Sequence, residues 1–428
     1  MDSTSAQDVQ KMTELDLHMP EMALPVQTKV NKAVLGRISS SSFPIGARGG
    51  DGVSEYQLAM SNSNSAVVSN SDICLDLDVT QNGDTERVLQ PDQLNRFRGS
   101  QVLFKSVNVT LGSHKLCDIP NFADRVADFH VQSTHTSDEM EYLEAMAGIG
   151  VDCGIVGEKK LSLRLPLKWF GLDFGNLLPT GAITSQLRIN LTVNDKYINM
   201  FSGLQTGSNK ITIRNLRLET EFIELQNTVS SKRLQLIKTT GLTIPYHAYG
   251  CDVRALQQTS QLNERISLNY NNVVSVFQLP YNVTNQAGYY GNVTWNAAGT
   301  VDGISGYLVQ FSGGTFFNLN STNGQSGKAS HAKALMETLR TENTTAGAGS
   351  KIVKGIDKYQ VLCANFVRAN NVLSPAIIDS GINARVLDGL LNTNAVFTAP
   401  IAPGKQLTTI TRYTQRIVFK NTGMDVYS

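Results

Sequence analysis

The sequence is poor in charged residues, and the residues that replace them favour strands. Asp, Glu, Lys and Arg make up 17% of the 428 residues, against about 25% in a typical soluble domain. Asn, Thr, Ser and Gly take their place. Ser, Thr and Asn disfavour the interior of a helix because their side chains compete for backbone hydrogen bonds. We therefore expect an all-β protein.

The sequence also lacks an excess of positive charge. It has 37 basic and 36 acidic residues, a net charge of +1. Its first 35 residues contain three lysines against five acidic residues. A protein that neutralises packaged nucleic acid needs a surplus of Lys and Arg, usually concentrated in an arm. We therefore predict no direct, sequence-specific binding of nucleic acid.

Cysteine is scarce and scattered. The five cysteines are at least 36 positions apart, so the close spacing of a cysteine metal site is missing. No run of residues approaches the ~18 apolar residues of a membrane span, and the N-terminus lacks the pattern of a signal peptide. These features predict reduced thiols in a protein that is made in a cytosol.

Motifs that carry catalysis are missing as well. The sequence contains neither the G-x-S-x-G motif of a hydrolase nor the G-x-x-x-x-G-K-[ST] loop that holds phosphates. His130 and His135 are five positions apart, which does not place them on one face of a helix. A metal site that joins them to Asp128 and Asp138 is therefore disfavoured. We predict a protein that is not an enzyme and has no cofactor or metal.

What the sequence does contain is a hydrophobic alternation with a period of two, which is typical of strands with one buried face. Apolar residues alternate in this way at 73–79, 107–111, 161–167 and 187–193, and further strands are predicted within 211–223, 242–244, 266–276 and 407–419. No helices of the βαβ type separate them. The pattern therefore predicts sandwiches or barrels.

The length of the chain predicts two domains, because one hydrophobic core rarely organises 428 residues. The strand rhythm breaks near Leu225, where a polar segment with a weak helical stripe begins. We therefore predict an N-terminal arm at 1–35, a first domain at 36–232 and a second domain at 233–428. Residues 39–66 are rich in Ser, Gly and Asn, which predicts a loop with little strand.

Two helices are predicted between the strands. Thr136 and Glu139 have the spacing of a capping box, in which each residue satisfies a backbone amide of the other. Apolar residues at helical spacing follow them. A second helix is predicted to begin at Ser330. One helix inserted in each set of strands is compatible with two versions of the same β domain.

The segment from Leu161 to Asn194 resembles a characteristic part of the double jelly-roll major capsid proteins of viruses. In that family, an apolar strand ending in Pro-Leu-aromatic leads through a Leu-Pro loop to another amphipathic strand. Residues 97–129, 211–276 and 379–383 are similar to the same family in the same order. The lineage includes adenovirus hexon, tailless membrane-containing phages, virophages and polinton-like viruses. The resemblance extends over 71–428 and is poor between 282 and 351.

The resemblance implies two tandem eight-stranded jelly-roll β-sandwiches with short inserted helices. It also implies a self-assembling structural protein of the virion, synthesised in the cytosol of the host cell. In the family, three chains form a pseudo-hexagonal capsomer, and capsomers tile an icosahedral shell. The partners implied are two further copies of the chain, neighbouring capsomers, penton and minor capsid proteins, and in some members an internal membrane.

Five residues are candidates for contacts between subunits. Val9, Met12 and Leu15 form an apolar stripe in the arm, and family members use such extensions to contact neighbours or interior components. The alternative is a flexible terminus. Trp169 and Phe170 follow an apolar strand and fit either a core position, which we favour, or a contact between subunits.

Two other functions fit a chain rich in strands. The first is a coat protein of an RNA virus, with one jelly-roll shell domain and a projecting β domain. The acidic arm counts against it, because that class usually carries its RNA-neutralising charge there. The second is a carbohydrate-binding sandwich, which normally has a signal peptide and exposed aromatic platforms. The two tryptophans of this sequence offer little for such platforms.

Overall fold

The computed structural model describes most of the chain between residues 34 and 427. The described residues are 34–48, 55–60, 66–81, 96–136, 138–149, 158–172, 178–182, 185–194, 201–202, 209–282, 304–311, 314–320, 324–340, 361–367, 381–385, 389–420 and 423–427. The predicted arm at 1–35 lies almost wholly outside them.

The first half of the chain forms two five-stranded antiparallel sheets and a small two-stranded one. Its strands are β1 (Val34–Ser42), β2 (Gly46–Arg48), β3 (Glu55–Ala59), β4 (Ala66–Gln81), β5 (Arg96–Phe97), β6 (Phe104–Leu111), β7 (His114–Ile119), β8 (Glu158–Pro166), β9 (Leu178–Pro179), β10 (Leu187–Val193), β11 (Phe201–Ser202) and β12 (Asn209–Leu225). The main sheets have the orders β1-β12-β4-β8 and β2-β3-β10-β6-β7.

The second half forms one five-stranded and one four-stranded sheet. Its strands are β13 (Leu242–Ala255), β14 (Gln261–Ser267), β15 (Val273–Asn282), β16 (Ile304–Phe311), β17 (Gly314–Asn320), β18 (Leu362–Asn365), β19 (Leu390–Phe397), β20 (Lys405–Lys420) and β21 (Gly423–Tyr427). The sheet orders are β13-β20-β15-β18, with β21 beside β20, and β14-β19-β16-β17.

Both halves have the same topology. The first half has eight principal strands besides the short additions β2 and β9 and the separate pair β5 and β11, and the second half has eight besides β21. If the eight principal strands of each half are numbered in chain order, both halves contain one sheet with the order 1-8-3-6 and one with the order 2-7-4-5. Eight strands wound in this order form a jelly roll. The predicted fold, two tandem eight-stranded jelly-roll sandwiches, is confirmed. We call the strands of 34–225 the first roll and those of 242–427 the second roll.

Helices are inserted at the same point of each roll. Between the fifth and sixth principal strands, the first roll has α1 (Ala123–Thr134) and α2 (Glu139–Ala147), and the second roll has α4 (Gly324–Arg340). The predicted capping box begins α2: the backbone amide of Thr136 donates to Glu139 Oε2 (2.8 Å), and that of Glu139 donates to Thr136 Oγ1 (3.3 Å). The helix predicted from Ser330 begins earlier, at Gly324.

The prediction of a loop with little strand at residues 39–66 was wrong, because β2, β3 and the end of β1 lie within this range. β1 is an edge strand that pairs with β12 through its backbone, for example Ile38 with Phe222. Its side chains are mostly exposed, and Ile38 itself is 45% exposed. Because neither face of β1 is buried, its sequence shows no alternation, and the Ser-rich composition pointed to a loop.

The segment between the rolls is α3 (Asn227–Thr240), which ends at Gly241 with a φ of 80°. The predicted boundary between residues 232 and 233 falls inside this helix and stays a prediction. The buried apolar residues of both rolls belong to one continuous core cluster. Among the described residues, no helix is long and apolar enough to cross a membrane.

Candidate functional site at the junction of the two rolls

The two rolls are joined by a buried junction with hydrogen bonds and ring contacts between them. Helix α1 supplies its first side. Ten of the 12 residues of this helix are buried, because the helix lies between the core of its own roll and the second roll. The ring of Phe129 packs on that of Phe277 with centroids 4.7 Å apart, and the hydroxyl of Tyr246 donates to the carbonyl of Leu116 (3.1 Å).

Arg125 crosses the junction from α1 to β20. Its guanidinium donates to Thr408 Oγ1 (2.7 Å) and to Gln406 Oε1 (2.9 Å). It also lies over two aromatic rings, 4.7 Å from the centroid of Phe122 and 4.9 Å from that of Tyr281. The side chain is only 1% exposed. A buried charge is tolerated when it is hydrogen-bonded, and the planar guanidinium can donate and stack at the same time.

Two histidines from different rolls lie at the junction. His130 of α1 places Nδ1 3.2 Å from the hydroxyl of Tyr249 on β13, and the two rings meet edge to face. His247 of β13 places Nδ1 3.4 Å from Thr414 Oγ1 on β20. Burial, with a smaller effect of the neighbouring Arg412 charge, lowers the pKa of both imidazoles to about 3. Both rings are therefore neutral at neutral pH.

A third histidine, His135, lies at the end of α1. Its Nε2 accepts a hydrogen bond from Trp169 Nε1 (3.2 Å), so Nδ1 carries the proton of the neutral ring. That nitrogen lies 3.3 Å from Glu139 Oε2. Burial and the charge of Lys168 lower the pKa of His135, while Glu139 opposes the shift. Through its contacts with Glu139 and Trp169, His135 links α1 to α2 and to the 3-10 helix that follows β8.

Gly171 marks the closest approach of the rolls at this point. It ends the 3-10 helix Leu167–Phe170 with a φ of 82°. A Cβ atom here would lie 2.6 Å from Cδ2 of Tyr249 and 2.7 Å from the carbonyl oxygen of His247. Only glycine combines a left-handed backbone with the absence of a side chain. The junction beside the histidines is therefore too tight for one additional methyl group.

The structure places the sequence-predicted contact residues as follows. Trp169 and Phe170 are both 0% exposed and lie inside the chain beside the junction. Val9, Met12 and Leu15 lie outside the described residues. Within the described part of the chain, no three His, Cys, Asp or Glu side chains form a group that could hold a metal ion.

The residues of the junction that sequence reasoning missed are Arg125, Gly171 and His247. Gly171 follows the Pro-Leu-aromatic segment that resembles the viral family, and Arg125 lies within residues 97–129, which resemble it too. The resemblance gave no sign of what these residues contact. No signal in the sequence singles these residues out, because their partners are more than 70 positions away in the chain.

The comparison with known proteins gives a match in structure and none in sequence. No family model matches the chain, and no curated protein matches it. The VP54 protein of PBCV-1, fitted into a reconstruction of the virophage Sputnik, superposes with a TM-score of 0.63. The match covers 94% of this chain and 99% of that chain, at 12% sequence identity. The chain has the double jelly-roll fold.

Two further solved structures share this double roll. A chain of the Sputnik virophage has a TM-score of 0.60 at 12% identity, with 95% of this chain and 91% of that chain covered. The major capsid protein of Faustovirus has a TM-score of 0.59 at 10% identity, with 95% and 93% covered. At such low identity, the likeness lies in the fold.

Proposed function

We propose that this chain is the major capsid protein of an icosahedral virus and that its role is structural, without catalysis. The observation that carries the proposal is the extent of the likeness to Faustovirus major capsid protein, 95% of this chain and 93% of that one. The match takes in both rolls, and neither chain contains a large unmatched domain. The chain would therefore be located in the virion.

The repeated topology supports a trimer as the building unit. Each chain contributes two rolls with the same strand order. Three chains arranged around a threefold axis would therefore present six similar sandwiches, which gives a pseudo-hexagonal outline. Closed cyclic symmetry of this kind is common among soluble homo-oligomers. A block with a hexagonal outline can tile the faces of an icosahedral shell.

The test of the trimer is the mass of the purified native protein, by light scattering after gel filtration, with negative-stain imaging. One chain has a mass of 46.6 kDa. We expect a particle of three chain masses with a hexagonal outline. A particle that stays a monomer at every accessible concentration would contradict the proposal.

An exposed apolar segment of the first roll is our candidate for the contact between subunits. Leu35, Ile38, Phe43 and Ile45 follow each other along β1 and the turn to β2, and they are 59%, 45%, 63% and 57% exposed. Clustered exposed apolar side chains mark interaction surfaces more often than free surface. β1 is also an edge strand, a place where proteins usually avoid exposed apolar residues.

We predict that the double variant Phe43→Ser and Ile45→Ser shifts the native mass from trimer to monomer. The melting temperature of the monomer should stay unchanged, because neither side chain is buried in the protomer. The matched control is Tyr142→Ser on α2, which removes an equally exposed ring (66%) from another surface and should leave the trimer intact. A double variant that remains trimeric would rule out this segment as the contact.

The arm is proposed to act at the next level of assembly. Val9, Met12 and Leu15 would dock on neighbouring capsomers or interior components. Serine at all three positions is then expected to leave trimers intact and to prevent closed shells in an assembly assay followed by electron microscopy. Shells of normal yield would contradict this role. Contacts with penton and minor capsid proteins or with an internal membrane stay predictions.

A further inference from the structure

The geometry points to an acid-sensitive joint: we propose that protonation of His130 and His247 loosens the contact between the two rolls. The inference rests on the junction itself and does not require the proposed capsid function. Its elements are two neutral imidazoles contributed by different rolls, positive charges near them, and a close contact between the rolls at Gly171.

Because the two imidazoles lie where the rolls meet, their protonation affects the contact between the rolls more than the interior of either roll. His130 belongs to α1 of the first roll and contacts the hydroxyl of Tyr249, which belongs to the second roll. His247 belongs to β13 of the second roll and lies close enough to His130 for their charges to interact. Charge on either ring therefore acts at the surface where the rolls meet.

The charged groups that face the pair are mostly positive. His130 is approached by His135 and Lys168 from its own roll and by Arg412 of β20 from the other. Arg412, which is fully buried, also faces His247. A proton on either imidazole would thus add a positive charge beside existing ones, and like charges in a site of low dielectric repel strongly.

The carboxylates near this cluster are engaged elsewhere. Glu139 pairs with His135. Asp128, on the same helix as His130, accepts a hydrogen bond from Gln132 (2.7 Å) and lies beside Tyr281. The groups that contact the two imidazoles directly are neutral hydroxyls, those of Tyr249 and Thr414. These can hydrogen-bond a protonated ring without compensating its charge.

The tight contact at Gly171 limits one route to compensation. The glycine lies so close to the backbone oxygen of His247 and the ring of Tyr249 that a methyl group would overlap both. A water molecule needs at least as much room. Water therefore cannot enter between the rolls at Gly171 unless they separate, and it reaches the two imidazoles only where their rings are partly exposed.

The sign of the effect follows from proton linkage. The pKa of each imidazole is about 3 in the folded protein and about 6.5 in an open or unfolded chain. The open state therefore binds more protons below pH 6.5, so the joint loses stability as the pH falls from 6.5 towards 3. At pH 5, each histidine would raise the opening constant by up to about 30-fold, and the two together by up to about 1,000-fold. The partial exposure of both rings reduces these values.

The test is hydrogen exchange of the full chain, compared between neutral and mildly acidic buffer after correction for the intrinsic exchange rate. Peptides from α1 and β13 should exchange at least about 10-fold faster near pH 5. Peptides from β16 and β19, in the far sheet of the second roll, should not change. Equal protection of α1 and β13 in both buffers would overturn the proposal.

The variant that assigns the effect is His130→Asn with His247→Asn. Asparagine can retain the hydrogen bond that each ring makes through Nδ1 and does not titrate, so the acid response of the junction should disappear. The matched control is His331→Asn. His331 is another buried histidine, but it contacts the carbonyl of Val361 inside the second roll, so the response should remain. A double variant that still responds like the wild type would refute the assignment.

If the double variant fails to fold, the proposal can still be tested by the fluorescence of a protein whose junction is unchanged. Trp169 donates to His135 at the edge of the cluster, so a Trp295→Phe variant reports on this tryptophan alone. Its fluorescence should change between pH 6.5 and 4, before the far-ultraviolet circular dichroism is lost. Fluorescence that changes only together with global unfolding would show that the joint does not open separately.

Discussion

Replacing Arg125 by alanine tests whether the junction couples the stability of the two rolls. The side chain is 1% exposed and bridges α1 to β20 through two hydrogen bonds of 2.7 and 2.9 Å. Alanine removes both donors and the stacking on Phe122 and Tyr281. It also leaves the side chains of Thr408 and Gln406 with fewer partners at a buried site.

The magnitude follows from opposing contributions. Two hydrogen bonds from a charged donor contribute about 1.5–3 kcal/mol each, and a desolvated cation–π contact adds about 2 kcal/mol. The truncation also leaves a cavity. Against these losses, the protein no longer has to bury a guanidinium, which costs several kcal/mol. We therefore expect the free energy of unfolding to fall by about 3–5 kcal/mol, the balance of these contributions.

The assay is urea denaturation followed by circular dichroism and tryptophan fluorescence. Arg125→Met is the informative companion, because it retains most of the side-chain volume without the charge and should cost less than alanine. Arg188→Ala, on the exposed side of β10, is the surface control and should stay within about 0.5 kcal/mol of the wild type. A loss below about 1 kcal/mol for Arg125→Ala would refute the view that this residue holds the rolls together.

Two further substitutions test local geometry. Gly171→Ala should lower the free energy of unfolding by about 2–4 kcal/mol, because the new methyl group would overlap Tyr249 and His247 and the backbone at this position is left-handed. A melting temperature equal to that of the wild type would contradict the close contact. Thr136→Ala should lower the free energy of unfolding by about 1 kcal/mol, because it removes one hydrogen bond of the capping box with Glu139. Thr136→Ser should retain most of that hydrogen bond's contribution, so equal losses for both variants in urea denaturation would argue against a capping role.

The strands that could be predicted from the sequence are those with one buried face. In β6, Val107, Val109 and Leu111 are fully buried while the residues between them are partly exposed. β10 shows the same pattern at Leu187, Ile189 and Leu191. Such burial selects apolar residues at every second position, so the pattern is visible without any structure. β1, whose side chains are mostly exposed, carries no such pattern and was missed.

Unlike these strands, the contacts of the candidate site could not be predicted from the sequence. The sequence drew attention to His130 and His135 because they are close in the chain, and it favoured ordinary loop histidines. In the structure, the direct partner of His130 is the hydroxyl of Tyr249, 119 positions away. Trp169 and Phe170 were candidates for the core, which the sequence favoured, or for a subunit contact, and both are fully buried inside the chain.

By itself, the sequence determined that the chain is all-β, that it contains two sets of strands, and where several of the strands with one buried face lie. Period-two alternation and the scarcity of helix-forming residues are local properties, so they can be read along the chain. Tertiary structure alone decided the strand order and the junction. Strands such as β1 and β12 pair through backbone groups that every residue possesses, and Arg125 meets Thr408 across 283 positions. Contacts of this kind arise from packing two finished rolls together and leave no local pattern in the sequence.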